Sequence, residues 1–169
     1  MNAADLLAAL ESSWLGTYMR EAPFGFVPAE IVHILALTLV FGSIAMVDLR
    51  LVGVAALRQP VSTLTRELLP ITWIAFAVAV LSGSLMFLAK ASGYYYAFEF
   101  RMKMLLIVLA GVNMIAFHLG PYRSIQNWDA QLAPPREVRI FGLISILIWI
   151  SVIFFGRFIG FALEMAPPR

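Results

Sequence analysis

Four apolar runs, each long enough to cross a bilayer as a helix, confine this chain to one architecture. Crossing about 30 Å of hydrocarbon takes roughly 20 helical residues, and a helix satisfies its own backbone in lipid. The runs cover about 31–51, 71–91, 98–119 and 140–163. Pro28 suits the first position of the first helix, which should continue beyond the lipid to Ala56 and stop at Pro60. Gly120-Pro121 stops the third. Connections this short predict an up-down-up-down order. The expected fold is therefore all-α and integral to the membrane, a four-transmembrane antiparallel helix bundle over residues 23–169.

Composition agrees with that class. Hydrophobic residues make up 62% and charged residues 13% of the chain, against about 25% charged in soluble domains. A net charge of +2 with no basic stripe argues against nucleic acid as a partner. The absence of cysteine excludes disulfides, thiolate metal sites and covalent haem attachment through C-x-x-C-H.

Residues 1–22 do not read as a signal peptide, because Asp5 and Glu11 stand where positive charge belongs. Leu7, Leu10, Trp14 and Tyr18 recur at helical spacing and predict one amphipathic helix, lying in the interface or packed on the end of the bundle. Gly42, Gly83 and Gly111 sit near mid-span and read as sites of close helix packing.

Orientation rests on the loops. Arg50, Arg58, Arg66, Arg123, Arg136 and Arg139 flank the 1–2 and 3–4 connections. Arg20, Lys90, Arg101, Lys103, Arg157 and Arg169 are on the other side, several of them within spans or terminal. The positive-inside rule then makes the first side cytoplasmic and both termini outward. In a bacterium that is a multi-pass protein of the inner membrane with periplasmic termini. Trp73 and Trp128 fit an inner aromatic belt, and Tyr94, Tyr95 and Tyr96 an outer one.

Ionisable groups within spans mark functional sites by default. His33 precedes Asp48 by fifteen residues, and Lys103 precedes His118 by fifteen. Spans one and three run the same way, and fifteen residues rise roughly 22 Å, so the two histidines cannot clamp one haem. Fifteen steps of 100° end about 60° past four full turns, which keeps each pair on one broad helix face. Two polar levels follow. The outer level holds His33 and Lys103, with Arg101 and Arg157 at similar depth. The inner level holds Asp48 and His118, with Asn113 and Arg50 nearby.

At the inner level, Asp48 is expected to take a hydrogen bond or ion pair from His118 or Arg50, since buried charges persist when paired. A second haem or a quinone head group near His118 is the functional alternative. The outer cations call for an anionic partner: haem propionates, a lipid phosphate or a small anion. Haem b also accounts for the histidine, because neutral imidazole is a common axial ligand. His33 would bind the iron, Arg101, Lys103 and Arg157 would face the propionates, and Met86 or Met104 stands at a depth suited to a sixth ligand. No Ser-His-Asp set, H-E-x-x-H or phosphate loop is present.

The run H-x-L-x-L-x-x-x-F-G-S-x-x-x-x-D-L-R-L, His33 to Leu51, resembles a bacterial family of unknown function. So does K-x-x-L-x-x-L-A-G-x-N-x-x-x-F-H, Lys103 to His118. More distantly, the layout is similar to HemJ protoporphyrinogen oxidases and CopD-type membrane domains. That resemblance places their first-helix histidine at His33 and the lysine of the HemJ H-x-K at Lys103, with Arg101 standing in the histidine position of that motif. It implies a haem-associated site.

The expected function is a small b-type haem membrane protein, transferring electrons between a quinone and a periplasmic redox protein or handling haem or porphyrin. The alternatives are a non-enzymatic anchor or assembly subunit of a larger membrane complex or homo-oligomer, a HemJ-like porphyrinogen oxidase, and a transporter for a small anion.

Overall fold

The computed structural model describes residues 2–165, and every described element is helical. Arg169, counted above among the terminal charges, lies outside them. Four helices are long and apolar enough to cross a membrane: α3 (Phe26–Val52), α4 (Val61–Ala89), α6 (Phe98–Leu119) and α7 (Arg136–Met165). The chain is a multi-pass membrane protein. Short helices α1 (Ala3–Glu11), α2 (Trp14–Glu21) and α5 (Ala91–Tyr96) gather at one end, here the N-terminal end. A 3₁₀ segment (Pro121–Asn127) closes the other, the lid end.

The single amphipathic helix expected at the start is two helices. Ser13 accepts the Gly16 N–H at 3.1 Å and donates to the Leu10 carbonyl at 2.6 Å. One hydroxyl thus serves the last turn of α1 and the first turn of α2, which makes the break at Ser12–Ser13 cheap. Asn2 and Asp5 form a reciprocal capping box ahead of α1. The pair packs on the bundle end. Arg20 donates to the Glu11 and Ala89 carbonyls, and Glu11 accepts the Ser92 N–H at 2.7 Å. A Cβ at Gly16 would meet the carbonyls of Leu10, Glu11 and Leu88 at 2.6–2.9 Å, so only glycine admits this approach. Leu7 and Met19 are buried, whereas Trp14 and Phe24 are each 80% exposed.

α3 begins two residues before Pro28, which occupies the third helical position, still within the turn whose N–H groups lack helical partners. It ends at Val52 rather than Ala56. Gly53 adopts φ 83°, and the bonds from Gly53 N–H to Arg50 O and from Val54 N–H to Leu49 O form a Schellman cap. α4 starts ten residues ahead of the apolar run, because its first turns carry Ser62, Thr63, Thr65, Arg66 and Glu67. Asp129 caps it from across the fold, accepting the Ser62 N–H at 2.8 Å and the Ser62 hydroxyl. Tyr94, Tyr95 and Tyr96 lie on the short helix α5, which is bounded by Lys90 and Ala97. α6 has the expected bounds.

Successive long helices are antiparallel. α3 packs on both α4 and α7, and α7 on α6, while α4 and α6 stand apart. The tightest core lies at the lid end, where Leu51, Val61, Phe117, Trp128 and Val138 meet. Trp128 is 3% exposed, with its indole N–H on the Pro121 carbonyl, so it plugs the bundle instead of joining an aromatic belt. Trp73, half exposed on α4, keeps an outward edge.

Candidate functional site: two polar levels

The fifteen-residue spacings place polar groups at two depths, as the helical rise requires. Toward the N-terminal end, His33 of α3 reaches α4. Its Nδ1–H donates to the Ala79 carbonyl at 2.8 Å, with Ser82 Oγ 3.1 Å away. The Ser82 hydroxyl donates to Val78 O at 2.7 Å, which leaves its oxygen free to accept. A Cβ at Gly83 would stand 2.9 Å from His33 Cε1 and 3.3 Å from Nδ1. Gly83 is thus the notch that admits the ring. With Nδ1 carrying the proton, Nε2 presents a lone pair.

Lys103 of α6 lies within electrostatic reach of His33. Its stem crosses Gly156 of α7, where a Cβ would sit 3.6–3.7 Å from Nζ, Cε and Cδ. Arg20–Glu21 is the only ion pair among the described residues, and none of their carboxylates pairs with the Lys103 ammonium. His33 and Lys103 are thus electrostatic neighbours without direct contact. Of the rest of the expected group, Met86 alone shares a face with the residues that receive His33. Arg101 is exposed. Arg157 is also exposed, its guanidinium 5.2 Å from the Phe161 ring centroid. Met104 faces outward at 46% exposure. Met86 is half-buried and follows Ala79 and Ser82 at i+7 and i+4, on the face of α4 that receives His33.

The lid-end level is a cavity of about 180 Å³ between the four long helices. Asp48, Asn113 and His118 all line it, as their common depth predicts. Asp48 is buried, with Oδ2 lacking any hydrogen-bond partner and Ser145 of α7 as its side-chain hydrogen-bonding neighbour. The expected bond from His118 or Arg50 is not made. His118 Nδ1–H turns back to its own helix, onto Met114 O at 2.8 Å, and the ring lies against Tyr122. Asn113 donates to Phe141 O at 3.3 Å.

Arg50 is fully buried and turned elsewhere, with one Nη left without a partner. Nε donates to Gln59 O at 2.8 Å, and the other Nη to Asp129 O and Gln131 O at 3.2 and 3.0 Å. One guanidinium pins both connections of the lid end to α3. Positions two apart on a helix differ by about 200° and do not share a face, which separates Arg50 from Asp48.

Sequence reasoning missed Ala79 as an acceptor, and Thr65, Thr72 and Ser145 as cavity lining. Single hydroxyls in apolar helices usually bond their own helix, as Ser43, Ser84 and Ser151 do. Their second partners become visible only once the helices are packed.

Neither a curated protein nor a solved structure matches the chain. A family profile does match, over residues 7–162, which takes in both polar levels and all four spans. The chain belongs to that family, described as a family of unknown function (DUF6644).

Proposed function

We propose that this protein is a small b-type haem protein of the bacterial inner membrane, in which His33 would hold the haem iron. One observation carries the reading: the bond of His33 Nδ1–H to the Ala79 carbonyl. Metal-ligating histidines characteristically donate their other ring N–H to a carbonyl or carboxylate, which fixes the tautomer and the ring plane. The residues present fit the group. Nε2 is the free nitrogen, Lys103 is a cation that pairs with no carboxylate among the described residues and could meet a propionate, and Met86 lies one turn away on the receiving face of α4. When bound, haem supplies one-electron chemistry. The chain's part is to hold the imidazole neutral and oriented and to offset propionate charge.

The task assigned to it is electron transfer between a membrane quinone and a periplasmic redox protein, or haem or porphyrin handling. The arginines flanking the lid end support a cytoplasmic lid and periplasmic termini. Titration of haem-free protein in nanodiscs with hemin tests the binding. Saturation at one haem per chain in wild type, with loss in His33→Ala, is expected. Equal haem uptake by both proteins overturns the reading.

A second reading is a HemJ-like porphyrinogen oxidase. It draws on the proximity of His33 and Lys103, the two positions that carry that resemblance. Rescue of a bacterial strain lacking its porphyrinogen oxidase, lost in Lys103→Ala, supports it; no rescue by well-expressed protein removes it.

A further inference from the structure

We infer that the lid-end cavity binds a membrane-borne amphiphile with a planar, hydroxylated head and an apolar tail, the chemistry of a prenylated hydroquinone. The head fits what the cavity lacks. Asp48 Oδ2 is a buried acceptor with no partner, and His118, protonated on Nδ1 toward Met114, offers Nε2 as another. Both residues line one space, and a head with two hydroxyls supplies donors for the two acceptors. An unpaired buried polar atom is costly, so a ligand that completes these bonds gains from them. Phe76, Phe117, Phe141 and Trp149 furnish flat apolar walls for a ring.

The tail fits a second space. A groove of about 230 Å³, apolar apart from Asp48 at its inner end, runs between α3 and α7, lined by Phe41, Ala45, Leu49 and Ile146. It meets the cavity at Ile44, Asp48 and Trp149, which line both. Its walls are half-exposed on the surface that faces lipid, so a ligand can arrive from the bilayer with its tail left in the groove. A free ion or a water-soluble metabolite makes no use of such a groove. The inference deepens the quinone part of the proposed function, yet rests on lid-end residues alone and does not need haem at His33.

The test is equilibrium binding in nanodiscs, with decylhydroquinone kept reduced and quenching of Trp73 and Trp149 fluorescence as the readout. Wild type should saturate at one ligand per chain, and Asp48→Asn should bind at least tenfold more weakly. Ala45→Phe, which fills the groove on its lipid side, should weaken decylhydroquinone tenfold while leaving tail-less methylhydroquinone unchanged. His33→Ala should bind as wild type does, so loss of the haem reading would leave this result standing. Non-saturable quenching, or equal binding by wild type and Asp48→Asn, overturns the inference. So does a melting temperature raised by sodium chloride alone in wild type and not in Asp48→Asn, which would assign the cavity to a cation.

Discussion

Asp48 and Arg50 are both buried, stand two residues apart on α3, and point to different places. Arg50 ties the two lid-end connections to the helix, and Asp48 faces the cavity. Each charge therefore has a separate use, and replacing each should have a separate consequence.

Arg50→Met should destabilise the fold by about 3 kcal/mol or more. Hydrogen bonds to a charged group are worth roughly 1.5–3 kcal/mol each, and three carbonyls lose their donor together. Thermal unfolding in detergent measures this. An unchanged melting temperature would mean that the connections hold without the guanidinium.

Asp129→Ala should cost about 1 kcal/mol, the usual value of a helix N-terminal cap. The carboxylate serves the start of α4 from a distant loop, so the loss should appear both in melting and in faster proteolysis of that loop. If proteolysis is unchanged while melting falls, the carboxylate caps α4 without fastening the loop.

The mid-span glycines should separate. Gly83→Ala places a methyl group 2.9 Å from the His33 ring, and overpacking of this kind costs roughly 1–3 kcal/mol. It should also break the bond to Ala79, visible as a shift of the His33 ring nitrogens by NMR. Gly42→Ala and Gly111→Ala meet nothing within 4 Å and should raise stability by about 0.5–1 kcal/mol, the helix-interior preference for alanine. A larger loss at Gly111 than at Gly83 would contradict this packing.

Trp14 should lie at the membrane interface. In a variant retaining only this tryptophan, lipids brominated near the head group should quench its fluorescence more than lipids brominated at mid-chain. Absence of quenching by either would show the exposed face of α2 turned to water or to a partner protein.

The sequence disclosed the spans because hydrocarbon leaves one continuous apolar record, and it disclosed the two levels because rise per residue is fixed. What it obscured followed from other forces. The first turns of α4 are polar and lie outside any apolar run, so their helix rests on packing and on Asp129. Ser12–Ser13 carried a capping pattern that the hydrophobic spacing of Leu10 and Trp14 overrode. Trp128 read as a belt residue because nothing in a linear chain says that its loop folds inward. Arg50 and Asp48 could have been separated in advance, since their spacing alone puts them on different faces. The notch at Gly83 could not, because it needs the register of α3 against α4.

The most direct test of the central claim is the absorption spectrum of the protein purified after haem-replete expression. The account predicts a Soret band in wild type that shifts on reduction, and its loss in His33→Ala folded to the same helical content. Wild-type protein with no Soret band, or a band that His33→Ala retains unchanged, would contradict it.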